Sequence, residues 1–308
     1  MLLSALSVLV VFLFSIRNNI PEFFTDLSTN LHLNPETLQT LQTHQNPSNP
    51  SKPFKPFKPF KPIQTLQTLQ NPSNPSMIKV FTLQLEEADY KPEFQDNLLQ
   101  YLPEAGKLRV RDRQNLTSKL HTVAGELLAR YSVGQYTGKT KQEIILRFGD
   151  KGKPHIENLT GIHFNISHSG NFVVCAVASS EIGIDVERVR KINLRIAERF
   201  FSEKEINDLM ACKEEDRMHY FITLWTIKES YLKAIGRGLT QNLNSFTIVK
   251  NGDSYLLTGN QEAEGFGIET SRLSPEYLMA VCAPLPYVPC DIRSTAWEEI
   301  KKSIPLYI

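Results

Sequence analysis

Prolines decide where this chain can fold. From Lys52 the sequence runs in Lys-Pro-Phe triplets, which place Pro53, Pro56, Pro59 and Pro62 at regular spacing. Two copies of one heptapeptide, Gln45 to Ser51 and Gln70 to Ser76, flank the block, with Leu-Gln-Thr triplets beside them. Proline has no amide hydrogen and a fixed φ, so this stretch continues neither a helix nor a sheet ladder and builds no core. Upstream, Leu2 to Ile16 is apolar apart from its serines. That is about fifteen residues, short of the roughly 20 that a membrane-spanning helix needs. No Lys or Arg precedes it, as the start of a signal peptide would require. A membrane or proline-rich recruitment arm is one interpretation of residues 1–76. The expectation is a disordered, low-complexity extension, or repeats lying upstream of a true start at Met77, where ordered-looking sequence begins.

The remaining 77–308 is long enough for a sizeable core in one or two domains. Lys+Arg 34 against Asp+Glu 33 leaves a net charge of +1, so charge gives no case for a nucleic-acid partner. The four cysteines, Cys175, Cys212, Cys282 and Cys290, form no C-x-x-C pair. They read as buried structural thiols in a reducing compartment, which predicts a cytoplasmic protein with no membrane partner.

Within 77–308 the periodicities alternate between strand and helix. Ile78 to Leu85 alternates as a strand, Pro103 to Gly106 reads as a turn, and a helix is predicted from about Asp112 to Tyr131. Lys107, Arg109, Arg111 and Arg113 form either a solvated basic edge or a dock for phosphate. Gly134 to Thr140 imitates a nucleotide-phosphate loop, but it is one residue short and precedes a strand-like run rather than a helix. Lys153 is held extended by Pro154. Ile162 to Asn171 reads as a strand entering a polar loop, followed by a buried apolar strand over Phe172 to Ala178. Adjacent Ser167 and His168 would point opposite ways on a strand, which excludes a nucleophile–base pair. Anion binding or a plain turn remains open for them.

Ile182 to Glu187 also alternates, with Asp185 and Glu187 on one face roughly 6.5–7 Å apart. Gly183 would leave open space beside them. The pair suits either a hard cation or a solvent-facing surface. Ser202 to Glu205 is a capping box. A long helix is predicted from Arg217 to Ile235, with Phe221, Leu224, Trp225, Tyr231, Leu232 and Ile235 on one stripe. Glu229 and Lys233, four apart, are either a surface ion pair or groups at a cleft edge. Lys228 falls inside the apolar stripe and needs a partner, an anionic ligand or a nearby carboxylate. Strands are expected over Phe246 to Val249, Ser254 to Leu257, Phe266 to Glu269 and Tyr277 to Cys282, and the tail beyond carries no legible motif.

Three stretches in order carry a resemblance. Phe164 to Ser169, Gly183 to Glu187 and Trp225 to Lys233 resemble the signature motifs of 4′-phosphopantetheinyl transferases, closest to the surfactin-synthetase-activating type. The resemblance covers 77–308 and implies an α+β fold of two pseudo-symmetric halves, 77–180 and 181–308. Each half would be a small sheet packed with a long helix, with coenzyme A bound in the cleft between. It implies Mg²⁺-dependent transfer of the phosphopantetheine arm to a serine of an apo acyl or peptidyl carrier protein, releasing 3′,5′-ADP. The carriers of fatty-acid and nonribosomal-peptide synthesis fall within this class. Asp185, Glu187 and Glu229 would hold the metal, Glu229 would also be the base, and Lys233 would contact the pyrophosphate. Ser167, His168, Lys153, Thr122, Lys107 and Arg109 would contact coenzyme A, and a monomer is implied. Two alternatives stand beside this: an Mg²⁺-dependent phosphohydrolase acting on a coenzyme A-like pyrophosphate, and a non-catalytic homologue that only binds carriers.

Overall fold

The computed structural model describes residues 77–139, 144–148, 153–236, 242–304 and 306. The expected extension 1–76 and the residues Gly149–Gly152 lie outside the described residues. The chain begins with β1 (Ile78–Gln84), then α1 (Pro92–Leu99), α2 (Glu104–Arg111) and α3 (Leu116–Thr137). A short hairpin, β2 (Leu146–Phe148) and β3 (Pro154–Ile156), leads to β4 (His163–Ser169), β5 (Phe172–Ala178) and β6 (Gly183–Arg188). Next come α4 (Ala197–Phe200), α5 (Glu203–Ala211) and α6 (Glu214–Ile235). The chain closes with β7 (Thr247–Asn251), β8 (Ser254–Thr258), α7 (Gln261–Glu264), β9 (Phe266–Ser274), β10 (Tyr277–Pro284), β11 (Cys290–Thr295) and α8 (Trp297–Ser303).

Two principal sheets result, ordered β11-β1-β5-β4 and β6-β10-β9. The period of two explains how they stack. On the first sheet, Phe81, Leu83, Val173, Cys175 and Val177 join Leu120, Val123 and Leu127 of α3 in one core. The alternate residues Ile78, Val80, Val174 and Ala176 join Ile184, Val186, Met279 and Val281 of the second sheet in another. The sheets therefore face one another, with α3 outside the first and α6 outside the second. The expected α+β class, with a small sheet and a long helix in each half, is what forms; α3 and α6 are both 22 residues long.

Several expectations need correction. The division at 180/181 assigns the last residues to the second half, yet β11 pairs in parallel with β1 and Trp297 and Ile300 enter the first core. Helix α3 starts at Leu116 rather than Asp112, because the Asn115 side chain accepts the amide of Ser118 at 2.8 Å. Pro103 to Gly106 is not a turn: Pro103 flanks α2, where Arg109 and Arg111 complement the negative end of the helix. Helix α6 starts at Glu214, three acidic residues favouring its positive end, and stops at Gly236 with φ of 68°.

Lys228 finds its partner in a carboxylate. Its Nζ lies 2.9 Å from Glu205 Oε1, with both side chains 0% exposed, and donates to the carbonyls of Leu243 and Phe246. Glu205 also accepts the amides of Ser202 and Ile248, so one buried pair ties α5, α6 and the entry to β7 together. All four cysteines are free, with Cys175 and Cys282 buried. Among the described residues no helix is long and apolar enough to cross a membrane.

Candidate active site

The site begins where two sheet edges meet. Asn165, Ser167 and Ser169 share one face of β4, opposite β6. The Asn165 Oδ1, Ser167 Oγ and Ser169 Oγ atoms accept the amides of Ile184, Val186 and Arg188 at 3.0, 3.3 and 3.1 Å. Three side chains thus replace the carbonyls that a neighbouring strand would offer. Each serine hydroxyl also reaches a carboxylate: Ser167 to Asp185 Oδ1 and Ser169 to Glu187 Oε2, both at 2.9 Å. Ser167, His168 and Ser169 therefore belong to the strand itself, not to a polar loop after it. Asn165 and Ser169 were not singled out from the sequence, although their alternation with Ser167 was the available signal.

Helix α6 supplies the opposite wall. Gly183 does not leave open space: a Cβ there would overlap the Ser230 carbonyl and the Ala234 backbone, so the glycine lets α6 lie directly on β6. This brings Lys233 Nζ to 2.6 Å from Asp185 Oδ1 and 2.9 Å from Ser167 Oγ. Glu229, 7% exposed, lies one turn earlier on the same helix.

The electrostatics are strained. Burial raises the Asp185 carboxyl above its ordinary range, against the pull of Lys233. Burial and then the Asp185 charge push Glu187 up to about 8. Burial, with Asp185 again adding, pushes Glu229 up to about 7. Two carboxylate oxygens, Asp185 Oδ2 and Glu229 Oε1, are buried without a hydrogen-bond partner. Orphaned carboxylate oxygens are what a hard cation takes as ligands, so the donor chemistry fits Mg²⁺. As placed, among the described residues, no three Asp, Glu, His or Cys groups converge to metal-binding distance; the ammonium of Lys233 occupies the charge of Asp185 instead.

The other predicted contacts spread around this centre. His168 points away from Asp185 and stacks on His121 of α3, ring centroids 4.4 Å apart. Thr122 Oγ1 donates to the Ser118 carbonyl and accepts from Arg113 Nε at 3.1 Å. Arg113, set aside in the sequence as one of four basic residues, is the one beside Thr122. Lys153 Nζ donates to the Lys233 carbonyl at 2.7 Å, fastening the end of α6 to the first half. Lys107 pairs with Glu104 on its own helix at 3.5 Å. Arg109 turns inward: its guanidinium pairs with the buried Glu126, which also holds Arg130, and lies 3.8 Å over the Phe148 ring. It fastens α2 to α3 and the β2–β3 hairpin.

Comparison with known proteins matches both halves in order. Residues 90–180 match the N-terminal family of 4′-phosphopantetheinyl transferases, and residues 181–282 match the 4′-phosphopantetheinyl transferase superfamily. The 4′-phosphopantetheinyl transferase Sfp of Bacillus subtilis (strain 168) is 39% identical over 180 residues, 58% of this chain and 80% of that protein. The 4′-phosphopantetheinyl transferase ffp of Bacillus subtilis is 34% identical, covering 67% of this chain and 92% of its own length. Psf-1 of Bacillus pumilus is also 34% identical, over 68% of this chain and 91% of that protein. A carboxylate centre closed by Lys233, on a chain that aligns with these relatives along most of their length, places it in the 4′-phosphopantetheinyl transferase family, in the surfactin-synthetase-activating branch.

Proposed function

We propose that this chain moves the 4′-phosphopantetheine arm of coenzyme A onto a serine of an apo acyl or peptidyl carrier protein. The observation that carries this is the pair of buried, unpartnered oxygens on Asp185 and Glu229 beside the Lys233 ammonium. Such a centre is built for concentrated negative charge arriving with a counter-ion. Asp185, Glu187 and Glu229 would hold Mg²⁺, which when bound neutralises charge on the pyrophosphate.

The protein's own groups do the rest. Glu229 projects from α6 beside the carboxylate centre, and a positioned carboxylate can serve as a general base. It takes the proton of the carrier serine. The serine oxygen then bonds to the β-phosphorus, and the bond from that phosphorus to the oxygen leaving with 3′,5′-ADP breaks. Lys233 meets the charge that gathers on the leaving side. Lys153, by holding the Lys233 carbonyl, keeps that end of α6 in place when the lysine side chain leaves Asp185 for phosphate. His168 and Thr122 receive the 3′-phosphate end of coenzyme A, with Arg113 at hand to add charge, while Ser167, bonded to Asp185 and Lys233, faces the pyrophosphate. Lys107 is a surface candidate for the same end, while Arg109 serves better as a support for α2.

Both walls of the site come from one chain, which favours a monomer, and four free thiols suit the cytoplasm. The test is transfer itself. The protein is mixed with coenzyme A, Mg²⁺ and a panel of apo carriers from fatty-acid, polyketide, nonribosomal-peptide and aminoadipate pathways, and each carrier is weighed by mass spectrometry. A gain of the phosphopantetheine mass is expected on at least one. Glu229→Gln should keep the fold and lower kcat by about 10²–10⁴-fold. Near-normal turnover would remove Glu229 from the base role, and coenzyme A cleaved without any carrier would indicate hydrolysis instead.

A further inference from the structure

His121 has no part in the centre above, yet it is buried and its two neighbours are specific. Its Nε2 lies 2.8 Å from the Gly170 carbonyl. A carbonyl only accepts, so Nε2 carries the hydrogen and the ring plane is fixed. The β4–β5 turn that supplies this carbonyl is tied to two tyrosines. Tyr90 Oη donates to the same oxygen at 3.2 Å, and the Asn171 amide donates to Tyr277 Oη at 2.9 Å. Gly170 has φ of 52°, a conformation that favours glycine. Against this anchored ring lies the His168 imidazole, 4.4 Å away and tilted by 24°. Thr122, which accepts from Arg113 Nε, is the next residue on α3.

We propose that His121 is a positioning residue for the 3′-phosphate end of coenzyme A: by stacking, it sets the plane of His168 and so determines the preference for coenzyme A over 3′-dephospho-coenzyme A. This rests on the assignment of His168 to the 3′-phosphate. Burial lowers the proton affinity of both rings. Two neutral rings stack without charge repulsion, and the ring of His121, anchored through Nε2, holds the plane of His168.

The experiment measures kcat and KM for both forms of coenzyme A with one carrier, in the wild type, His121→Gln, His121→Phe and His168→Ala. Glutamine keeps a donor for the Gly170 carbonyl but removes the ring; phenylalanine keeps the ring and loses the donor. His121→Gln should raise KM for coenzyme A about tenfold, the worth of one charge-assisted hydrogen bond, with kcat held and little change for the dephospho form. His121→Phe should retain most of the preference. Equal losses on both substrates in His121→Gln would mean a merely structural role and would overturn the proposal. So would an unchanged preference in His121→Gln when His168→Ala loses it. If His168→Ala also keeps the preference, the assignment of His168 fails, and this inference with it.

Discussion

Asp185 pairs with the Lys233 ammonium, while Glu187 and Glu229 are carboxyls within reach of its charge. Burial is the first cause of each raised proton affinity, and mutual repulsion is the second for Glu187 and Glu229. A folded chain that binds protons more tightly than the unfolded one is stabilised at low pH and loses that advantage as pH rises. For Glu229 the window runs from its ordinary 4.5 to about 7. For Glu187 it extends to about 8. In the presence of a chelator, the melting temperature should therefore fall as pH is raised across this window. Glu229→Gln should melt with a shallower fall, since an amide has no proton to lose. Parallel curves for the two proteins, followed by circular dichroism, would show that Glu229 does not bear this penalty.

At the scale of elements, the decisive contact is α6 lying on β6 at Gly183. A methyl group at that position would overlap the Ser230 and Ala234 backbones, and backbone cannot turn aside as a side chain does. Gly183→Ala should cost about 1–3 kcal/mol, typical of forced overpacking, and should cut transfer by pushing Glu229 and Lys233 away from Asp185. Urea unfolding and the transfer assay check both parts; a variant with unaltered stability and turnover would show that α6 can shift freely. Position 183 also marks how far the sequence could be read. Its spacing in the motif was legible, and so were the strand period, the Ser202 capping box and the apolar stripe of α6. That the glycine served a helix rather than a ligand was not, because the residues it meets, Ser230 and Ala234, lie more than forty positions downstream. Helix α2 was hidden for a related reason. Pro103 and Gly106 look like turn signals locally, whereas the glycine lets α2 lie close to α3, where the Glu126 carboxylate would be 3.0 Å from a Cβ. Alternation revealed Asp185 and Glu187 as a pair, but their bonds to Ser167 and Ser169 depend on which sheet edges meet.

The first sheet takes its edge strand from late in the sequence. β11 adds to β1 in register from Ile78 with Cys290 to Leu83 with Thr295. Behind it, Trp297 Nε1 donates to Asp89 Oδ2 at 2.9 Å, and Tyr131 Oη donates to Glu299. Strand β11 escaped sequence reading because it is half exposed and its partner is distant in the chain. Removing residues 285–308 takes away one sheet edge and several core side chains, Trp297 among them. Losing a buried tryptophan side chain alone costs about 3–5 kcal/mol, against a total stability of roughly 5–15 kcal/mol. The truncated chain should show no cooperative thermal transition. A melting midpoint like that of the intact protein would mean that the first sheet closes without its last strand.

The joint between β4 and β6 has a consequence for how this enzyme tolerates mutation. Ordinary strand pairing is indifferent to side chains, because the main chain makes the bonds whatever residue is present. Here the bonds come from Asn165, Ser167 and Ser169, so the polar part of the contact between the two sheets depends on three side chains. A single nucleotide change can weaken it while leaving each sheet intact. Random mutagenesis should therefore yield inactive variants at these positions that remain folded and abundant in the cell.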